Sequence, residues 1–298
     1  MPLDLGHGKS LDDALGTIGV VTWKDAARAS NPLTIEYPAL PDEITNDAAA
    51  GRVDPQSWFA NSARRLELEI GCGKGTFILE QSGASPDINY LGIEWTREFY
   101  MYTADRLRRA LRTNVRMLHA DASDFLRWRC PDETLDVIHL YFSDPWPKSK
   151  HHKNRVVQHR FLAEAWRTLK SRGELRVVTD HDELWEWCTG HFALWSVVPP
   201  TAALSGRCEA SATSQSTSNR TDRPAPVGGT ENSSYDTRVH EAATALLAKL
   251  PTPPFEMSTF TPPEWVGEGC VVGTNYEKKK CVAASKQPHS CVLRKHHV

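Results

Sequence analysis

Residues 66–77 read Leu66-Glu67-Leu68-Glu69-Ile70-Gly71-Cys72-Gly73-Lys74-Gly75-Thr76-Phe77. The first five are a short apolar-rich run, which predicts a strand, and the glycines that follow predict a tight turn into a helix. Glycine lets the backbone turn sharply and approach a ligand closely. Amides at a helix N-terminus suit a carboxylate or a phosphate. The nicotinamide fingerprint G-x-G-x-x-G would require glycine at position 76, where this chain has Thr76. That difference, with Cys72 inside the loop, disfavours an NAD-dependent oxidoreductase.

Outward from this loop the pattern repeats. Tyr90–Ile93, Val115–Leu118, Val137–Phe142 and Leu175–Val178 read as further buried strands. Segments 76–82, 97–112, 155–171 and 181–191 read as helices. Val157, Phe161, Ala165 and Leu169 recur every fourth residue, and Gly173 is read as the stop of that helix. Strands alternating with helices imply an α/β fold with a doubly wound, mostly parallel sheet. A short helix near 239–249 and a last, antiparallel strand near 270–276 are expected to complete it.

Three acids follow three consecutive strands. Glu69 ends the first, Glu94 ends the second, and Asp121 follows the third. Open α/β sheets bind ligands at the carboxyl ends of their strands. A carboxylate at Glu94 can accept both ribose hydroxyls of a nucleoside, and Asp121 can accept from an adenine amine. Each also suits an ordinary helix cap. The fourth strand runs into Phe142-Ser143-Asp144-Pro145-Trp146-Pro147-Lys148, then Ser149-Lys150-His151-His152-Lys153-Asn154-Arg155. The two prolines stop the strand and stiffen the loop, Asp144 is presented at the sheet edge, and Trp146 offers a face for a base. Lys150, Lys153 and Arg155 are candidate phosphate contacts. Asp180 ends the fifth strand, and with Glu183 it also reads as a capping box.

The chain has 298 residues, 35 Lys and Arg, 37 Asp and Glu, and a formal net charge of −2. That total gives no sign of nucleic-acid binding, but it conceals segregation. Residues 1–60 hold nine acids and four bases, whereas Lys148–Arg160 holds five bases and no acid. Lys278–Val298 holds six bases and no acid. Total charge is thus a poor guide to local potential. The expected organisation is an irregular lead-in (1–60), a core (61–200), a disordered Ser/Thr-rich insertion (201–238), the end of the core (239–280) and a basic tail (281–298). The insertion has too few large apolar side chains to offset its ordering entropy. No apolar run spans a bilayer, and the N-terminus lacks the basic-then-apolar pattern of an export signal. The seven cysteines form no CxxC, which points away from a zinc site or a disulfide framework and towards a reduced cytoplasmic compartment. His151, His152 and His159 have no cysteine or acid at ligand spacing, so no metal is expected.

The loop E-x-G-x-G-x-G at Glu69–Gly75 resembles motif I of class I S-adenosylmethionine-dependent methyltransferases. The run F-S-D-P-W-P-K at Phe142–Lys148, followed by H-H-K, resembles the signature of the tRNA (guanine-N7-)-methyltransferases of the TrmB family. The similarity covers roughly residues 60–200 and resumes near 255–280. It implies a Rossmann-like class I fold and S-adenosyl-L-methionine as cofactor. The implied reaction is methyl transfer to N7 of a guanosine in tRNA, at position 46 of the variable loop. By the same resemblance Glu69, Gly71, Gly73, Gly75, Glu94, Asp121 and Asp144 bind cofactor, with Asp144 also catalytic. Lys148, Asp180, Thr274, Asn275, Tyr276 and Glu277 bind the substrate, the last four matching the family's terminal T-x-F/Y-E. No membrane and no obligatory protein partner is expected. Ser149 and Asn154 stand where relatives carry more bases, and the insertion and basic tail lie outside the family core. A methyltransferase for another RNA or a small molecule would share the glycine loop and Glu94, without needing the D-P-W-P-K loop. A non-catalytic RNA-binding subunit would be expected to lose at least one of the acids.

Overall fold

The computed structural model describes residues 20–22, 34–36, 48–197, 245, 247–250, 253–282 and 286–296. The Ser/Thr-rich insertion and most of the helix expected near 239–249 lie outside them. Five central strands, β3 (Leu66–Ile70), β4 (Asn89–Glu94), β5 (Val115–His119), β6 (Leu135–Tyr141) and β7 (Leu169–Thr179), match the five read from sequence. They are flanked by β1 (Val20–Thr22), β2 (Thr34–Glu36), β8 (Ser196–Val197), β9 (Phe255–Ser258) and β10 (His289–Lys295). The sheet order among these residues is β1-β2-β5-β4-β3-β6-β7-β10-β9-β8. Only β10 runs antiparallel to its neighbours, pairing with β7 and β9.

From β3 the chain winds outward through β4 and β5, then returns to place β6 on β3's other side. The strand order reverses there, and at that point a crevice opens beyond the carboxyl ends of such a sheet. Helices α1 (Thr76–Ala84) and α2 (Arg97–Arg109) cover one face. Their Ile78, Tyr100, Ala104 and Leu107 pack with Tyr90 and Met117. A short turn, α3 (Ala122–Asp124), follows β5. On the other face, Leu66, Leu68, Ile70, Ile138, Leu140 and Leu175 form the main core with α4 (His159–Thr168) and α5 (Asp182–Trp195). Strands buried on both faces read as near-continuous apolar runs, which explains why these five were legible.

The differences from expectation have physical causes. The helix read over 155–171 is shorter, because Arg155 and Gln158 are extended and Leu169 already pairs with Leu135. Gly173 is not a helix stop. It lies in an irregularity of β7 where the register shifts, and a Cβ there would meet the Lys170 carbonyl oxygen at 2.9 Å. The strand expected at 270–276 is instead a loop leading into α6 (Asn275–Glu277). The antiparallel strand comes from residues expected to be a basic tail. Cys291, Val292 and Leu293 are buried there, and fully burying a side chain of that size contributes roughly 1.5–3 kcal/mol. The lead-in contributes β1, β2 and a turn at Pro55–Trp58 capped by Asp54, with Trp58 wholly buried.

Candidate active site

A cleft of about 620 Å³ lies at the strand-order reversal. One wall is the glycine loop, where Gly71, Gly73 and Gly75 have φ of +74°, +53° and +66°. Its amides are spent within the protein. Gly71 N–H donates to the Ile93 carbonyl (2.8 Å), Gly73 N–H to Glu94 Oε2 (2.7 Å) and Gly75 N–H to the Cys72 carbonyl (2.8 Å). These three amides are therefore not a nest for an anion, contrary to the reading from sequence. Gly75 does not line the cleft. It begins α1 in the left-handed conformation, pressed against Thr103.

Four of the expected carboxylates line the cleft: Glu69, Glu94, Asp121 and Asp144. Glu94 is buried and held from both oxygens, Oε2 by Gly73 N–H and Oε1 by Thr96 N–H (2.7 Å). Each oxygen keeps a lone pair for a ligand hydroxyl. Asp121 caps α3, accepting from Ser123 and Asp124 N–H at 2.8 and 3.0 Å, and lines the cleft as well. The helix-cap reading of that residue therefore holds. Glu69 is buried, and its Oε2 has no hydrogen-bond partner. Burial pushes its carboxyl up to about 8, with the Glu94 charge adding to the shift. Burial also raises the Cys72 thiol well above its ordinary value, so it stays protonated and is no nucleophile.

This donor set can be tested against S-adenosylmethionine, which carries an ammonium, a sulfonium, a carboxylate and ribose hydroxyls but no phosphate. An orphaned buried carboxylate oxygen and a doubly anchored acid fit its ammonium and hydroxyls. They do not fit a dinucleotide pyrophosphate.

Beyond β6 the backbone of two large residues is left-handed, Phe142 at φ +52° and Trp146 at φ +42°. Such conformations persist only where the surroundings impose them. At Trp146 the imposing group is Arg155, which donates to the carbonyls of Pro145 and of Trp146 itself. Only 2% exposed, its Nε donates to the Pro145 carbonyl (2.9 Å) and its Nη2 to Glu183 Oε1 (2.6 Å). Its guanidinium carbon sits 5.1 Å from the centroid of the Trp187 ring. Arg155 is thus buried and engaged, and is not a phosphate contact as sequence reading expected. Glu183 serves this pair, and α5 is capped by His181 Nδ1, so the Asp180–Glu183 capping box does not form. Among the described residues Asp144 itself has no hydrogen bond or ion pair.

Thr274, Asn275 and Tyr276 line the cleft too. Tyr276 O–H donates to Asp180 Oδ2 (3.2 Å), and its ring lies 5.1 Å from that of Phe142. Glu277 is fully buried and accepts from the N–H groups of Val271, Val272 (3.0 Å) and Gly273 (2.7 Å). It shapes the loop and does not face a ligand, which corrects its assignment to substrate. Lys148, Lys150 and Lys153 are exposed outside the cleft.

Sequence reading missed a relay beneath the site. Buried His139 joins Glu67 (2.9 Å) to the Tyr141 hydroxyl (2.7 Å). Burial depresses His139; at Glu67 burial works upward, but the His139 hydrogen bond together with the charges of His139, Arg176 and Arg65 keeps that carboxylate low. A neutral imidazole therefore donates to Glu67 and accepts from Tyr141. Alternation along β3 and β6 placed these residues on one face, but nothing in the pattern paired them. Asn154 and Lys279 at the cleft wall were also not anticipated.

Among the described residues, no group of three or more His, Cys, Asp or Glu could hold a metal. No described helix is long and apolar enough to cross a membrane. A family model described as "Putative methyltransferase" matches residues 63–209. The tRNA (guanine-N(7)-)-methyltransferase of Corynebacterium diphtheriae is 33% identical over 175 residues, covering 58% of this chain and 67% of that one. The protein of the same name from Geobacillus thermodenitrificans is 36% identical, covering 50% of this chain and 68% of its own. That of Enterococcus faecalis is 34% identical, covering 48% and 70%.

Proposed function

Since the chain belongs to the tRNA (guanine-N(7)-)-methyltransferase family, we propose how the residues of its cleft divide the work of that reaction. The enzyme transfers a methyl group from S-adenosylmethionine to N7 of guanosine in tRNA. When bound, S-adenosylmethionine supplies an electrophilic methyl group on sulfonium sulfur. Glu69 Oε2 receives the cofactor's ammonium, Glu94 its ribose hydroxyls and Asp121 its adenine amine. Gly71 and Gly73 allow the backbone to come close.

Guanine N7 has a lone pair and no proton, so the nucleophile needs no general base. The chain's task is to align N7 with the methyl group and to stabilise the positive charge that forms on the purine. Asp144 suits that task by accepting from the guanine N–H edge. Arg155 holds the Asp144 loop in place. Tyr276, its hydroxyl held by Asp180, forms the opposite wall, and Trp146, 37% exposed, offers a stacking face. Lys148, Lys150 and Lys153 engage tRNA phosphates. The observation that carries this reading is the convergence of Glu69, Glu94 and Asp144 with Tyr276 on one cleft.

The target we assign is the guanosine at position 46, in the variable loop. The six described cysteines are all free thiols, which supports a reducing, cytoplasmic setting. The test is to incubate purified protein with unmodified tRNA and methyl-labelled S-adenosylmethionine, then analyse nucleosides. Label as 7-methylguanosine at position 46 is expected, and label only on another nucleoside overturns the assignment.

A further inference from the structure

We infer that Lys278, Lys279 and Lys280 form a second phosphate-gripping surface, on the side of the cleft built by Tyr276, so that the RNA strand is held from both flanks of the target nucleotide. This rests on the tRNA reading above and extends it to residues no motif covers. The three lysines begin the turn Lys278–Val282 that continues α6. All three are exposed, and among the described residues none is paired with an acid. Lys279 lines the cleft directly.

The turn is firmly held. Glu277 is buried under three backbone N–H groups, Thr274 Oγ1 accepts from Glu277 N–H (3.0 Å), and Lys278 N–H donates to the Thr274 carbonyl (3.0 Å). At its far end Cys281 is buried. These anchors leave the lysine side chains facing solvent beside Tyr276.

The other flank is weaker than its sequence implies. With Arg155 buried, the arm offers Lys148, Lys150 and Lys153, interrupted by Ser149 and Asn154. The cleft admits a base that has left its stack, and unstacking costs a few kcal/mol. Phosphates on both sides of the extruded nucleotide must be gripped to offset that cost. Lys148–Lys153 reaches the cleft through Trp146 and Asn154, and Lys278–Lys280 reaches it through Tyr276 and Lys279.

The experiment measures binding of an unmodified tRNA transcript by the full chain across a salt series. The triple variant Lys278→Gln, Lys279→Gln, Lys280→Gln should reduce the slope of log K against log salt by about 2, at roughly 0.7–0.9 per lost phosphate contact. Its KM for tRNA should rise at least tenfold on that basis, by more than kcat falls. The triple Lys→Arg variant should keep the wild-type slope, and both should bind S-adenosylmethionine like wild type. An unchanged slope in the glutamine variant overturns the inference, as does a lost slope in the arginine variant. Absence of 7-methylguanosine with wild-type protein would instead strike the reading on which it rests.

Discussion

Arg155 donates from Nε to the carbonyl oxygen of Pro145 at 2.9 Å, one residue beyond Asp144. A buried guanidinium so placed holds a loop with a left-handed Trp146 in a single shape. Arg155→Ala should let the loop relax, and a misplacement of about 1 Å can cost about 10²-fold in rate. We expect kcat to fall by roughly that factor, with cofactor affinity and the salt slope of tRNA binding unchanged. Added guanidinium should restore part of the rate. A reduced slope with intact kcat would return Arg155 to the RNA interface.

Asp144→Asn keeps the shape of the side chain and removes its charge. Both substrates should still bind appreciably, measured by calorimetry for cofactor and filter binding for tRNA. Methyl transfer should be lost, since a neutral amide stabilises a cationic purine poorly. Full single-turnover activity in this variant would exclude the role assigned to Asp144.

Glu69 makes the ligand-free protein sensitive to pH. Its carboxyl is raised in the fold from an ordinary 4.5 to about 8. A raised pKa contributes stability that is complete below the unfolded value and lost as pH rises through the folded one. Thermal stability should therefore decline between those two values, and Glu69→Gln should flatten that decline. A cationic ligand favours the ionised carboxylate, so cofactor binding near neutrality should release a proton. Calorimetry in buffers of different ionisation enthalpy reads that proton directly, and identical heats in all buffers would contradict the assignment.

The three loop glycines should not tolerate substitution equally. Alanine at Gly71 or Gly73 meets nothing within 4 Å and carries only the left-handed penalty, roughly 1–2 kcal/mol. At Gly75 the added Cβ would lie 2.3 Å from Thr103 Cγ2. Urea unfolding should rank Gly75→Ala as the most destabilising of the three. Equal losses would show that Thr103 moves aside freely.

The centre of the fold was legible because its strands are buried on both faces and run as apolar blocks, as with Leu66–Ile70. The acids on one side of the cleft were legible for a related reason: Glu69, Glu94 and Asp121 each sit where a strand ends, a position that sequence order reveals. What was hidden is long-range pairing. Arg155 reads as part of a basic run, and only the fold brings it under Pro145 and against Glu183. Glu277 looks like one more exposed acid until three amides of its own loop close on it. β10 was obscured by its composition, because Arg294 and Lys295 suggest a solvated tail. In the fold Arg294 pairs with Glu174 at 2.6 Å, and Lys295 is buried against the Leu169 carbonyl at 2.7 Å.

The place of β10 has a consequence for the order in which the molecule comes into being. Synthesis delivers β7 more than a hundred residues before His289–Lys295, so a nascent chain carries an unpaired edge in the middle of its future sheet. Exposed edges recruit other strands. The glycine loop and its acids can be assembled by then, whereas Tyr276 and the lysines beside it emerge almost last. Growing chains thus gain the glycine-loop wall of the cleft well before the Tyr276 wall, with the final strand joining β7 to β9.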